Sequence, residues 1–205
     1  MLLAAVLGSG IMAERLSTDV GVQLLANTAA TVGVLYCIIG VFGPVSGGHF
    51  NPAVTLAEIL LGERRWSDLL PYTLAQLSGG ALGAVVANLM FERDAVNLST
   101  KVRDGSGQYV GEVVATFGLI VVIFGLVRAS RSGMVTSAVP AYIGGAYWFT
   151  SSTSFANPAV AVTRALSDSF AGIDPASVPM FLLMELVGAL LAVGFVRYLY
   201  PFEDR

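Results

Sequence analysis

Apolar residues gather in long runs, without the three-to-four spacing of a surface helix or the alternation of a half-buried strand. The runs cover residues 1–13, 20–43, 69–91, 109–127, 134–150 and 178–200, each bounded by charges or turn residues. Most approach the roughly 20 residues a helix needs to cross a hydrocarbon core about 30 Å thick. Barrel strands would need only about 9–11 residues of alternating polarity. The pattern therefore predicts an all-α membrane protein with six transmembrane helices. Between the third and fourth runs, residues 92–108 hold Arg93, Asp94, Lys101, Arg103 and Asp104 and read as a solvated loop.

Two stretches interrupt this pattern. Residues 46–55 (Ser-Gly-Gly-His-Phe-Asn-Pro-Ala-Val-Thr) and 153–160 (Thr-Ser-Phe-Ala-Asn-Pro-Ala-Val) are small and polar, and each continues into an apolar run of half the spanning length. The Asn-Pro-Ala triplet follows the second long run and again the fifth, and residues 72–80 and 181–189 occupy matching places after each. The chain thus repeats a unit of three helices and one half-helix. Because three is odd, the second copy enters the membrane with the opposite orientation, giving an inverted repeat. The expected organisation is one domain over residues 1–205, with repeat 1 at 1–91, a loop at 92–108 and repeat 2 at 109–200.

Composition narrows the function. Of 205 residues, 55% are hydrophobic and 12% charged, about half the charged share of a soluble domain. A net charge of −3 leaves no basic face for nucleic acid. One histidine, His49, and one cysteine, Cys37, cannot build a His/Cys metal cluster. No nucleophile–base pair stands out, so neither an enzyme nor a cofactor site is expected. Cys37 reads as a small packing residue, sensitive to mercurials only if it faces a pore.

The triplets carry chemistry. Asparagine is a favoured N-cap and proline a favoured first helical residue, so Asn51-Pro52-Ala53 and Asn157-Pro158-Ala159 each open a helix. Entering from opposite sides, the two half-helices meet near the midplane, where irregular backbone must be buried in protein or line a water-filled cavity. Each N-terminus contributes roughly half a positive charge, which repels cations, hydronium included, while neutral molecules pass. Carbonyls of residues 47–48 and 151–154 offer acceptors along such a path, and the two side-chain amides would donate to a solute oxygen. Asn-Pro alone is a common helix start. Two copies in equivalent places of an inverted repeat, each before a half-length run, indicate a pore.

Residues 46–55, Ala75-Gln76 with Gly79, Glu112 with Thr116, and Asn157-Pro158-Ala159 resemble the aquaporin (major intrinsic protein) family over essentially the whole chain. The resemblance implies six helices and two re-entrant half-helices around one pore per subunit, a homotetramer, and residence in the inner (plasma) membrane. It also implies passive conduction of water and small neutral solutes such as glycerol and urea. By family spacing the selectivity filter falls at Thr31, Gly145, Ser154 and Val160. Ser154 is tied to its place three residues before Asn157, whereas Thr31 and Gly145 rest on ungapped counting through helices. Members conducting mainly water or glycerol carry an arginine where this chain has Val160. The nearest arginine, Arg164, reads as an exposed or snorkelling residue at the outer end of the half-helix. The filter is therefore expected to be small, uncharged and wide. That is similar to a branch of the family associated with bacterial arsenic resistance, which adds metalloid species such as arsenite to the expected solutes.

The same resemblance gives Glu112 the role of bracing the re-entrant loop's backbone. Glu185, placed like Gln76, either braces the other half or carries a proton, with bracing preferred. His49 either responds to pH or, as preferred here, packs beneath the first loop. Gly79 and Gly83 have the spacing for close helix crossing. The acidic opening of the family's first helix is missing, and residues 1–13 would span only about 20 Å, so the chain is expected to begin inside that helix. With family topology, Arg64, Arg65, Arg128, Arg131, Arg197 and Arg205 lie inside, and Arg15, Arg93, Lys101, Arg103 and Arg164 outside. Six against five barely satisfies the positive-inside rule, so orientation follows the resemblance. Inverted repeats with broken helices also build ion-coupled secondary transporters, the alternative reading, in which Glu112 and Glu185 would be the ionisable carriers. A non-conducting junction protein is a third.

Overall fold

The helices start where the chain supplies caps. In the computed structural model, which describes residues 1–201, α1 (Leu2–Leu16) and α2 (Val20–Ser46) are joined by a short turn. There the Asp19 carboxylate accepts from the Val22 amide at 3.0 Å. Asn51 and Asn157 cap α3 (Pro52–Leu60) and α7 (Pro158–Arg164), with proline opening both. Single 3₁₀ turns at Trp66–Asp68, Ser132–Met134 and Pro175–Ser177 lead into α4 (Leu69–Met90), α6 (Val135–Phe149) and α8 (Val178–Leu199). The remaining long helix is α5 (Ser106–Arg128). Arg205, counted above among the inner charges, lies outside the described residues. Helices α2, α4, α5 and α8 are long and apolar enough to cross a membrane. At 15 residues each, α1 and α6 reach about 22 Å.

The bundle is apolar outside and encloses polar residues within an apolar core. Leu25, Leu74, Leu82, Val86, Leu190 and Leu191 are exposed, whereas Asn27, Asn88, Glu112, Glu185 and Arg164 are buried. A water-soluble fold distributes these residues the other way. Here lipid is the surrounding solvent, and groups needing hydrogen bonds turn inward to find them. Two glycines let the helices close around that interior. A Cβ at Gly188 would lie 2.6 Å from the Val113 carbonyl, seating α8 on α5, and one at Gly83 would lie 2.9 Å from Leu3 Cβ, seating α4 on α1. Gly79 meets nothing within 4 Å among the described residues; its neighbour Gly80 instead faces Thr163 of α7, a crossing separate from that of Gly83 with α1.

Residues 92–105 form the expected loop, and most of them are exposed, but part of the segment turns inward. Ser99 and Arg103 are buried, and the segment is strapped to the chain that follows α7. The amides of Asn97 and Ser99 donate to the carbonyls of Leu166 and Ala165 at 3.1 and 3.0 Å, and the Thr100 amide donates to Asp168 at 2.9 Å. Charge in the sequence marked this segment as wet. Carbonyl partners distant in sequence let it fold inward over one end of the bundle, called the outer end below.

Candidate functional site

The two triplets meet inside the bundle and lock one another. The Asn51 side-chain oxygen accepts from the Ala53 amide at 2.8 Å, and its Nδ2 donates to the Ala156 carbonyl at 2.7 Å. Asn157 mirrors this: its oxygen accepts from the Ala159 and Val160 amides at 3.1 and 3.3 Å, and its Nδ2 donates to the Phe50 carbonyl at 2.8 Å. Each asparagine therefore caps its own half-helix and donates to the residue preceding the other asparagine. An amide nitrogen has two hydrogens, so one N–H on each remains for a solute.

The approach to each triplet uses left-handed backbone, at Gly47, Gly48 and Phe50 (φ 84°, 65° and 49°) and at Thr153, Ser154 and Ala156 (φ 64°, 52° and 48°). Such conformations cost non-glycine residues about 1 kcal/mol or more each, so the second loop needs holding. Three consecutive amides provide the grip. The Phe155 and Ala156 amides donate to the two oxygens of Glu112 at 2.9 and 2.8 Å, and the Asn157 amide donates to Glu185 at 3.0 Å. The first loop has no matching carboxylate pair. Beneath it His49 places Nδ1 3.1 Å from Thr55 Oγ1 and Nε2 3.2 Å from Glu58, which in turn pairs with Arg64. Thr55 Oγ1 donates to the Asn51 carbonyl at 3.1 Å and accepts from Gln76 at 3.2 Å.

A cavity of about 530 Å³ follows α6 from Val135 to Tyr147 and takes in both asparagines. Its outer part is lined by Thr31, Tyr147, Ser154, Phe155, Val160 and Arg164. Three of the four expected filter residues are thus together, and Gly145 is not among them. Gly145 is exposed on the opposite side of α6, with only the Phe149 ring near it. Tyr147 takes the place along the pore; the two positions are about 200° apart around the helix. Cys37 is exposed and outside the lining, so it belongs to the outer surface of the bundle.

A second correction concerns Arg164. It is 1% exposed, its Nε donates to the Ala171 carbonyl, and its guanidinium carbon stands 3.5 Å from the Phe155 ring centroid. Arg103 approaches the same ring at 4.9 Å and donates to the carbonyls of Gly172, Phe170 and Ser152. Phe181 holds that ring edge-on at 5.0 Å. Lys101 donates to the Phe170 carbonyl at 2.6 Å; burial, then repulsion from Arg103 and Arg164, pulls its ammonium down to about 8. The outer mouth is therefore neither uncharged nor lined only by small side chains. Tyr147, Phe155, Arg103 and Arg164 were missed from sequence. For Arg164 the available signal was its place one helical turn past Val160 in an otherwise apolar half-helix.

A helical bundle with an apolar exterior, whose cavity is lined by the asparagines of two facing, capped half-helices, defines a membrane channel. A profile of the family described as Major intrinsic protein matches residues 1–156, and the chain belongs to that family. It is a passive, non-enzymatic, multi-pass protein of the inner membrane. It is 45% identical over 199 residues to the aquaglyceroporin AqpS of Rhizobium meliloti, covering 97% of this chain and 85% of that protein. It is 30% identical over 167 residues to a glycerol uptake facilitator protein of Streptococcus pneumoniae, covering 70% and 68%. The aquaglyceroporin from Plasmodium falciparum has the same fold, with a TM-score of 0.67 at 18% identity over 95% of this chain and 88% of that one.

Proposed function

We propose that this channel conducts water and small uncharged hydroxylated solutes of glycerol size. The reciprocal asparagine pair carries the reading. With each amide oxygen committed to backbone N–H groups and one N–H committed to the opposite loop, only donors face the path. A solute oxygen that accepts from both points its hydrogens away from the centre, which interrupts a proton-relaying water chain. The outer constriction consists of Thr31, Ser154 and Val160 with Tyr147 in place of Gly145. Thr31 Oγ1 lies 2.8 Å from the Asn27 carbonyl and 3.2 Å from the Tyr147 hydroxyl. Its one hydrogen goes to the carbonyl, so Tyr147 donates to Thr31 and turns its oxygen to the pore as an acceptor. Ser154 lines the same cavity, and its buried Oγ has no protein partner among the described residues. An acceptor and a free hydroxyl suit a polyol better than a bare ion.

Glu112 and Glu185 brace the second loop, and His49 braces the first. Both glutamates lie off the cavity lining, which favours bracing over proton carriage and a passive pore over an ion-coupled transporter. Residues 1–205 act as one channel domain, assembled as a homotetramer. The valine at position 160 is similar to the arsenic-resistance branch and brings arsenite into the set of solutes. Stopped-flow light scattering on proteoliposomes with water, glycerol, urea and arsenite tests the reading. Water and glycerol fluxes well above protein-free vesicles are expected. Water flux without glycerol flux, or glycerol uptake that requires a pH gradient, would refute it.

A further inference from the structure

Val160 leaves the wall of the outer mouth without the charge and donors of a guanidinium at the first turn of α7. The half-helix carries one further on. Residues four apart share a helix face, and side chains lean toward the helix N-terminus, which here points at the pore centre. An arginine stem is long enough to recover the roughly 5.4 Å of one turn. The contact with Phe155 shows that Arg164 does so, because that ring belongs to the loop preceding the helix and the guanidinium stands 3.5 Å from its centroid. Arg164 also lines the cavity together with Tyr147, Ser154 and Val160.

The bonding of the two buried arginines differs. Arg103 spreads its donors over three carbonyls, which suits a clamp on residues 170–172. Arg164 gives only Nε to a carbonyl, and its terminal nitrogens have no protein acceptor among the described residues. Neither arginine makes an ion pair among the described residues. A buried guanidinium with two free NH₂ groups on a cavity wall is available to what passes through. We infer that Arg164 is the specificity-determining arginine of this pore, reaching the outer constriction from one turn beyond the valine and held there by Phe155. It donates to a solute oxygen while the Tyr147 oxygen accepts, and its charge turns cations away. The inference rests on the channel reading proposed above.

The test uses the full chain in proteoliposomes. Water permeability of the wild type above protein-free vesicles checks the channel reading on its own. Arg164→Gln removes the charge and bulk, and water entering the wider opening replaces the lost donors. The wider opening lowers the steric barrier for the larger solute more than for water, so the ratio of glycerol to water permeability should rise about tenfold, or about 1.4 kcal/mol of barrier. Guanidinium, a cation close to urea in shape, should begin to leak. Arg164→Lys keeps a cation on a flexible stem and serves where the glutamine variant fails to insert. It should still exclude guanidinium but shift the glycerol ratio, because the planar fork is lost. A purely structural arginine would change melting temperature and channel yield without moving either selectivity readout. A wild-type glycerol ratio in whichever variant assembles overturns the inference, and so does guanidinium flux through the wild-type protein.

Discussion

Removing Glu112 tests how the second re-entrant loop is held. Its carboxylate accepts the Phe155 and Ala156 amides at 2.9 and 2.8 Å in a site with no access to water. Glu112→Ala strands both donors, at about 1–3 kcal/mol each, so about 2–6 kcal/mol is at risk. Taking a buried carboxylate out of the bundle returns part of its desolvation cost, which favours the lower half of that range. Glu112→Gln is more informative. Its amide oxygen replaces one acceptor, but its NH₂ faces the other backbone N–H, so about half the alanine cost should remain. The loop is held in left-handed conformations at Thr153, Ser154 and Ala156, so an unbraced loop relaxes and carries Asn157 out of register with Asn51. Melting in detergent and water permeability per reconstituted channel should both fall in the order wild type, glutamine, alanine. If both variants stay within about 0.5 kcal/mol of wild type, the range of an ordinary surface substitution, with unchanged flux, Glu112 is not the brace.

Three further outcomes follow from the same geometry. Val160→Arg sets a second guanidinium one turn from Arg164; at a separation of about 6 Å and an effective dielectric near 20 the repulsion is about 3 kcal/mol. Poor assembly is expected, with recovery and a shift toward water in the double variant Val160→Arg/Arg164→Val; a single variant that assembles like wild type would count against a pore-facing Arg164. Gly188→Ala drives a Cβ to within 2.6 Å of the Val113 carbonyl, which is backbone and cannot turn aside, so about 1–3 kcal/mol should be lost, read as a lower melting temperature; an unchanged one contradicts the α5–α8 contact. Lys101, drawn from 10.5 to about 8, disfavours the folded state while it is charged and buried, so wild type should gain stability relative to Lys101→Met as pH rises from 8 toward 10.5. Parallel stability curves for the two proteins across that window would remove the assignment.

What the sequence made legible was local. A helix start is written in two adjacent residues, and Asn51-Pro52 and Asn157-Pro158 cap α3 and α7 as expected. A membrane span is written in the length of an apolar run, which located six helices to within a few residues. The filter is not local. Gly145 and Tyr147 differ by two positions, and only the packing of α6 against α2, fixed in part by the Thr31–Tyr147 contact, decides which of them meets the pore. Counting without gaps carries no information about that rotation. Reading charge as exposure failed for a related reason. Arg103 and Arg164 go inside because carbonyls at 152 and 170–172 are there to receive them, and those partners lie up to 69 residues away.

The misread arginine and the correctly read glutamates belong to one arrangement. Residues 155–157 are gripped through their amides by Glu112 and Glu185, while the Phe155 side chain is covered by the guanidiniums of Arg103 and Arg164. Among the described residues no carboxylate touches Arg164, and the loop gripped by Glu112 and Glu185 presents its Phe155 ring to the guanidinium instead. A contact salt bridge would neutralise the arginine and occupy the donors a solute needs. Stacking on the Phe155 ring leaves those donors free while offsetting part of the cost of a charge in a low-dielectric interior. The carboxylates that keep Asn157 in place for the solute thus also fix the ring on which the cation rests, which allows the arginine to stand at position 164 rather than at the first turn of the half-helix.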